Sequence, residues 1–127
     1  MSFPFEAEHG LVIVRTEVWG PAGSAVLRLA LDLGATATVI NVAPMVAIGY
    51  DPALAPHRTQ ITTGSGIEFA PCITVGRLKA LGRVRRRMPV LCHTLPASAG
   101  VDGLLGLDFV RRRRLTVDFR RARLTLV

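Results

Sequence analysis

The stretch that decides the fold of this chain is Leu29-Ala30-Leu31-Asp32-Leu33-Gly34-Ala35-Thr36. It begins as an apolar run typical of a β-strand and ends in one carboxylate, followed by a glycine that permits a sharp turn. An ionised carboxylate at the end of an apolar run costs free energy unless partners compensate it. Asp32 therefore either hydrogen-bonds its own turn, as aspartates in turns commonly do, or has a function.

A second informative stretch, whose first aspartate lies seventy residues after Asp32, is Val101-Asp102-Gly103-Leu104-Leu105-Gly106-Leu107-Asp108-Phe109. An apolar pair closes here on Gly106. Asp108 is suited to be the N-cap residue of one or two helical turns. The rest of the chain shows how the two stretches relate.

Length and composition indicate one folded domain. The chain has 127 residues, half of them hydrophobic, which is enough for a buried core and too apolar for a disordered chain. No apolar run reaches the roughly 18–20 residues of a membrane span, and the N-terminus lacks the pattern of a secretory signal. We expect a cytoplasmic protein without a membrane partner, in which residues 1–10 are a tail and residues 11–127 form the domain.

The cysteines and histidines predict neither a metal site nor a cofactor. Cys72 and Cys92 are too few for a disulfide framework and are expected to be free, although one disulfide between them is the alternative. Cys92-His93 is an isolated pair, and His9 and His57 have no partner at ligand spacing.

The charge is strongly divided along the chain. Residues 1–76 carry three arginines against six acidic residues, a net charge of −3, whereas residues 77–127 carry thirteen Lys/Arg against three aspartates, a net charge of +10. The runs Arg85–Arg87 and Arg111–Arg114 either bind nucleic acid or are solvated faces of strands and turns. Because almost no aromatic residues are interleaved with them, a stacking platform for bases is unsupported, and solvated faces are favoured.

Hydrophobic periodicity predicts many short strands and one or two short helices, which indicates a mostly-β barrel or sandwich. Strand-like patterns cover 11–19, 24–31, 37–40, 59–63, 67–70, 84–91, 115–119 and 124–127, and a short helix capped by Asn41 covers 42–48. A flexible glycine tip joins 59–63 to 67–70.

The order of these features resembles the retropepsin-like aspartic proteases, the single-lobe relatives of retroviral protease. The features are a hairpin that delivers Asp32-Leu33-Gly34, a glycine-tipped hairpin, the segment Asp102–Phe109 and a terminal hairpin. The resemblance covers residues 11–127. It implies a mostly-β, closed barrel-like single lobe with one or two short helices, which forms a homodimer.

The resemblance also implies the chemistry. Two chains meet about a two-fold axis, and their two Asp32 carboxylates share one proton, because like charges so close together cannot both ionise. The pair activates a water for attack on a peptide carbonyl without metal or cofactor. Residues 60–69 form a flap over an extended peptide or protein substrate. The flap and substrate-binding residues are Thr63, Gly64, Ser65, Gly66 and Ile67.

Other residues receive structural roles from the resemblance. Gly34 packs tightly under the catalytic pair, and Thr36 hydrogen-bonds the Asp32 carboxylate. Leu104-Leu105-Gly106 lies beside the active-site loop, which consists of Leu33, Gly34, Ala35 and Thr36. Asp102 and Asp108 are structural and do not form a second catalytic pair.

The sequence departs from the family motif at one position. The family has Asp-Thr-Gly or Asp-Ser-Gly, and its hydroxyl reaches the partner's backbone across the dimer axis, whereas Leu33 stands there in this chain. Leucine cannot donate that hydrogen bond, and a lost buried hydrogen bond costs about 1–3 kcal/mol if its partner stays unsatisfied. Leu33 either packs against its symmetry mate or weakens the dimer. The alternative function is therefore a weakly active or inactive module for dimerisation or peptide binding.

Overall fold

The computed structural model describes residues 1–63 and 66–127. Its strands are β1 (Ser2–Pro4), β2 (Glu6–Glu8), β3 (Leu11–Gly20), β4 (Gly23–Leu31), β5 (Val39–Ile40), β6 (His57–Thr63), β7 (Gly66–Ala80), β8 (Arg83–Cys92), β9 (Gly103–Leu105), β10 (Leu115–Asp118) and β11 (Arg123–Leu126). The α-helices are α1 (Val42–Ala47) and α2 (Leu107–Val110), with single 3-10 turns at Pro52–Leu54 and Ala97–Ala99. The predicted mostly-β class with one or two short helices is confirmed, the structure having two, whereas barrel-like closure and the homodimer stay predictions.

The strands form two sheets. An eight-stranded sheet has the order β2-β3-β4-β9-β5-β8-β7-β6, and β3 also pairs with β7. A three-stranded sheet has the order β1-β11-β10. In the large sheet β9 lies between β4, with which it is parallel, and β5, with which it is antiparallel. This insertion brings the two informative stretches of the sequence side by side.

The main core is built from both helices and most strands. Its largest fully buried side chains include Phe109, Leu29, Ile40 and Met45. Each such side chain stabilises the fold by about 1.5–3 kcal/mol relative to an exposed one. Leu29 precedes the Asp32 loop, and Phe109 ends the Asp102–Phe109 segment. Because both side chains are buried in the same core, they anchor the two stretches next to each other.

The first ten residues differ from the predicted tail because they contain two strands. β1 pairs with β11, with Phe3 opposite Leu124, and β2 pairs with the start of β3. The guanidinium of Arg28 holds β2 by ion pairs to Glu6 at 2.9 Å and Glu8 at 3.0 Å. The hydrogen bond to Glu6 is the main cause of the raised pKa of Arg28. Three-residue strands carry too little pattern to be recognised, and their partners are distant in sequence.

Asn41 precedes α1 as predicted but does not cap it with its side chain. Its Oδ1 instead accepts a hydrogen bond from Leu95 N at 3.0 Å, and its Nδ2 donates to Val101 O at 3.3 Å. The hydroxyl of Thr94 takes the capping role, because it accepts from Val42 N at 3.1 Å. The capping interpretation was wrong because a tertiary partner supplies the acceptor.

Both cysteines are free thiols in the structure. Cys92 is buried in the main core, and this burial raises the pKa of its thiol. Within residues 1–63 and 66–127, no three His, Cys, Asp or Glu side chains lie close enough together to hold a metal ion. The described helices are all too short or too polar to cross a membrane.

Candidate functional site

Asp32 lies where β4 ends, and its position is fixed by the neighbouring strand β9. Leu31 pairs with Leu105, and Asp32 N donates to Leu105 O at 2.9 Å. The chain then turns sharply, with Ala35 N donating to Asp32 O at 3.2 Å. Oδ1 of Asp32 accepts from Gly34 N at 2.9 Å. The half-buried carboxylate is therefore held by the backbone of its own turn and keeps its second oxygen for other partners.

Leu33 is the most exposed apolar side chain of this loop. It is 53% accessible in the single chain, although it lies between Asp32 and Gly34 in a well-anchored turn. Single exposed apolar side chains are common on protein surfaces, so this exposure alone does not identify a partner. The Leu33 side chain is therefore not part of the core of the single chain.

The loop that follows Asp32 is crossed by the start of α2. Leu107 N donates to Ala35 O at 2.8 Å, and Asp108 N donates to Thr36 O at 3.2 Å. Gly106 allows this approach, since a Cβ there would lie 2.7 Å from Ala37 O. The prediction that Leu104-Leu105-Gly106 lies beside the Asp32 loop is confirmed.

Asp108 has a different role from the predicted N-cap. Gly106 is the N-cap residue of α2, and Asp108 lies in its first turn. The Asp108 carboxylate accepts hydrogen bonds from Thr38 N at 2.8 Å and from Thr38 Oγ1 at 2.7 Å. In turn Thr38 Oγ1 accepts from Gly106 N at 3.1 Å. The carboxylate thus holds the end of the Asp32 loop, so its structural role is as expected.

Thr38 is the site residue that sequence reasoning missed. The hydroxyl of Thr36 was expected to reach the Asp32 carboxylate, but Thr36 is exposed and Oδ1 of Asp32 bonds to Gly34 N. Thr38 is fully buried. A usable signal exists in the sequence: Asp108 stands in an apolar segment and needs a buried donor, and Thr38 begins the apolar run of β5.

Asp102 is likewise structural. Its carboxylate accepts from Arg28 N at 2.8 Å, its backbone N donates to Arg28 O at 2.8 Å, and its carbonyl accepts from Asn41 N at 2.8 Å. These bonds join β4 to the segment before β9. Asp102 is therefore not available as a second acid beside Asp32.

The β6–β7 hairpin reaches out from an apolar cluster next to the Asp32 loop. The buried members of this cluster are Val39, Ala70 and Leu91, with Ala37, Ile61, Cys72 and Leu104 packed against them. Of the predicted flap residues, Thr63 pairs with Gly66 across the hairpin, and Ile67 is 63% exposed. Gly64 and Ser65 lie outside the described residues. The hairpin and the Asp32 loop thus share one apolar floor.

A family model described as "Aspartyl protease" matches residues 17–109. This segment begins within β3 and ends in α2, so it contains Asp32, Thr38 and Asp108. Among curated proteins, none matches the chain.

Solved structures share the fold of the chain at low sequence identity. A retropepsin-like aspartic protease from Rickettsia conorii superposes with a TM-score of 0.72 at 16% identity, over 99% of this chain and 88% of the other. The retroviral protease-like domain of Ddi1 from Leishmania major gives 0.60 at 15% identity, over 92% and 94%. EIAV protease, in complex with the inhibitor HBY-793, gives 0.50 at 20% identity, over 80% and 84%. At such identities the likeness concerns the fold, and function must be argued from the site.

Proposed function

The chain belongs to the aspartyl protease family, and on that premise we propose that two copies form an endopeptidase whose catalytic residue is Asp32 of each copy. The observation that carries this proposal is how many carboxylates in the site keep an oxygen free of hydrogen bonds within the chain. Asp102 is held at the other end of these strands by Arg28 N. Asp108 accepts hydrogen bonds from Thr38 on both carboxylate oxygens, whereas Asp32 accepts only from Gly34 N, on Oδ1. Among the described residues at this end of β4 and β9, Asp32 is therefore the acid with a carboxylate oxygen left for a reacting group. A second carboxylate must then come from a second chain.

The proposed reaction is peptide-bond hydrolysis by a shared-proton pair. The ionised Asp32 takes a proton from a water, and the water oxygen attacks the peptide carbonyl carbon. The protonated Asp32 of the other copy donates its proton to the carbonyl oxygen. The carbon–nitrogen bond then breaks as the Asp32 that took the water's proton gives it to the leaving amine nitrogen. The other Asp32, ionised since the attack, takes a proton from a hydroxyl of the tetrahedral intermediate, and the pair again shares one proton. The hydrogen bond from Gly34 N fixes the orientation of each carboxylate.

The proposed substrate is an extended peptide or unfolded protein. It would lie between the Asp32 loop and the β6–β7 hairpin, over the floor formed by Val39, Leu91 and Ile61. Strand-like substrates gain backbone hydrogen bonds from such an edge and side-chain contacts from alternate positions. In this proposal Thr63, Gly64, Ser65, Gly66 and Ile67 form the flap that covers the peptide.

The second candidate function is a binding module with little or no activity, and Leu33 is the observation that favours it. The Thr or Ser expected at this position from the family is absent, so its hydrogen bond to a partner chain cannot form. If the two loops were displaced by even about 1 Å, catalysis would fall steeply while dimerisation and peptide binding persisted.

Two further assignments belong to the same proposal. We place the protein in the cytoplasm, since Cys72 and Cys92 are free thiols and a reducing compartment preserves them. Nucleic acid is a less favoured partner, because the arginine runs lack interleaved aromatic side chains.

The test is cleavage of unfolded casein across pH 4–7 by the chain and by Asp32→Asn, with fragments identified by mass spectrometry. We expect cleavage by the unaltered chain and at least a ~1,000-fold loss in Asp32→Asn, because removal of a general acid–base group costs on the order of 10²–10⁴-fold and here both copies lose it. Cleavage that survives in Asp32→Asn would exclude the mechanism. A stable dimer that cleaves nothing would establish the binding module instead.

A further inference from the structure

The apolar floor next to the Asp32 loop continues into a groove with cationic side chains. The groove has a volume of about 360 Å³, and its lining includes Ala37, Thr59, Leu91, Arg85 and Arg111. Ala37 and Leu91 also belong to the apolar cluster, and Thr59 pairs with Ala70 of that cluster. The groove is therefore an outward extension of the surface over which the proposed substrate lies.

The two arginines reach the groove from different elements and meet at α2. Arg85, on β8, donates from Nη1 to Asp108 O at 2.9 Å, so its guanidinium is held in place. Arg111 directly follows α2, and its side chain is exposed. A hydrogen-bonded cation and an exposed cation thus line one groove.

Neither cation is neutralised by the described part of the chain. No described acidic side chain lies within ion-pair distance of Arg85 or Arg111. The carboxylate of Asp108 also lines the groove and keeps its negative charge while it accepts the two hydrogen bonds from Thr38, so the lining has two arginines against one carboxylate. On the hairpin, Glu68 lies 3.6 Å from His93. The groove therefore carries an excess of positive charge.

Neighbouring arginines increase this excess. Burial lowers the pKa of Arg83, and the positive charges of Arg113 and Arg85 lower it further. Arg83 itself lies over the ring of Phe109, with its guanidinium carbon 5.5 Å from the ring centre. Several arginines are thus gathered around α2, and in residues 1–63 and 66–127 none of them forms an ion pair with an acidic side chain. This concentration of positive charge favours binding of an anion.

We propose that Arg85 and Arg111 form a specificity subsite that binds an acidic side chain of the substrate, outside the residues next to the scissile bond. This inference rests on the proposed function. An extended peptide that passes Asp32 and the apolar floor leaves the cleft over Ala37 and Thr59, where its outer side chains face the two arginines. A two-fold dimer has two such grooves, so the preference for Asp or Glu should occur on both sides of the cleaved bond.

A carboxylate is the ligand that the position of the groove favours. The groove is continuous with the peptide cleft, and the guanidinium fork of arginine matches a carboxylate. A nucleic-acid strand would need stacking platforms, and the lining contains no aromatic side chain among the described residues. Binding of nucleic acid in place of an acidic peptide is therefore one of the outcomes that the experiments below distinguish.

The test is digestion of a proteome-derived peptide library, with the residues around each cut counted by mass spectrometry. The unaltered chain should show about three- to five-fold enrichment of Asp and Glu at outer positions on both sides of the cut, the range expected for partly solvated ion pairs. Arg111→Gln should reduce this enrichment to about twofold or less, and Arg85→Gln/Arg111→Gln, which removes both charges, should abolish it. Arg112→Gln is the matched control, because it removes the adjacent charge but does not line the groove and should leave the enrichment unchanged.

A binding experiment keeps this inference separate from the proposed function. The Asp32→Asn variant and the Asp32→Asn/Arg111→Gln variant are each immobilised. The peptides that each of them retains from the same library are then sequenced. Retention of acidic peptides that depends on Arg111 supports the subsite even if no chain cleaves. Equal enrichment with and without Arg111, or no enrichment, overturns it. Arg111-dependent binding of a single-stranded oligonucleotide without acidic peptides overturns it as well.

Discussion

The carboxylate of Asp108 accepts two hydrogen bonds from Thr38, one from the backbone N at 2.8 Å and one from Oγ1 at 2.7 Å. Through this pair, the first turn of α2 holds the segment that follows the Asp32 loop. The hydroxyl also accepts from Gly106 N at 3.1 Å, so three backbone segments meet at one buried side chain. The position of the proposed catalytic residue thus depends on a polar contact centred on a fully buried side chain, that of Thr38.

We expect Thr38→Val to destabilise the chain by about 1–3 kcal/mol, because it leaves a carboxylate oxygen of Asp108 and the N–H of Gly106 without their partner. Urea unfolding measures the change. Thr36→Val is the matched control, since Thr36 is exposed and its change should stay within about 0.5 kcal/mol. Equal losses in the two variants would contradict the role given to Thr38.

Gly106→Ala should destabilise the fold by about 1–3 kcal/mol or more, because a Cβ at this position would lie 2.7 Å from Ala37 O and 2.9 Å from Ala35 O. Thermal unfolding and activity on casein are the measurements, and both should fall together. Gly76→Ala provides the comparison, since the nearest atom to its Cβ would be Trp19 O at 3.8 Å. A tolerated Gly106→Ala would mean that α2 does not pack as closely on the Asp32 loop as described.

Leu33→Asp should weaken the proposed dimer, because it removes an apolar contact at the axis and puts two further carboxylates beside the Asp32 pair. Because Leu33 is 53% exposed in the single chain, dimerisation can bury about half of its surface, worth about half of the ~1.5–3 kcal/mol of a fully buried leucine in each chain. The two losses together predict a rise of roughly tenfold or more in the dimer dissociation constant. Sedimentation equilibrium measures it. Leu54→Asp is the control, since Leu54 is 79% exposed and lies outside the site. If both variants dimerise like the unaltered chain, Leu33 is not at the interface.

The buried thiol of Cys92 predicts a stability that depends on pH. Burial raises the pKa of Cys92 in the folded chain, so on raising the pH the unfolded chain loses this proton first. The free energy of unfolding should therefore be unaffected below the ordinary thiol range and fall as the pH rises through and above it. Urea unfolding at pH 7 to 10 measures this fall. Cys92→Ala should unfold more easily at every pH but with a smaller fall, and an equal fall would assign the pH dependence to other groups.

The meeting of the two informative stretches was predictable from the sequence. Asp32 ends one apolar strand, Leu104-Leu105 forms another, and both must be buried, so a resemblance that places them side by side agrees with elementary packing. The predicted β3–β4 and β6–β7 hairpins follow from alternation and turn glycines in the same way.

The polar partners were not predictable in that way. Thr36 and Thr38 are the same residue type two positions apart, and which of them is buried depends on how α2 crosses the loop. Asn41 is a residue type typical of a helix N-cap, but its side-chain amide hydrogen-bonds the backbone of Leu95 and Val101 instead. Such partners are chosen by chain segments more than fifty residues away, and a local pattern holds no information about them.

The place of β9 between β4 and β5 also governs when the site can exist during protein synthesis. Leu29 pairs with Gly103, so residues 29–40 emerge from the ribosome long before their central partner does. Until residues 103–108 follow, neither Leu105 O nor the Asp108 carboxylate is present to hold the Asp32 loop. Contacts of such large sequence separation also form slowly. A nascent chain therefore cannot hold the Asp32 loop in its final position before residues 103–108 have been synthesised. The proposed peptide cleavage is for this reason delayed until synthesis of the chain is nearly complete.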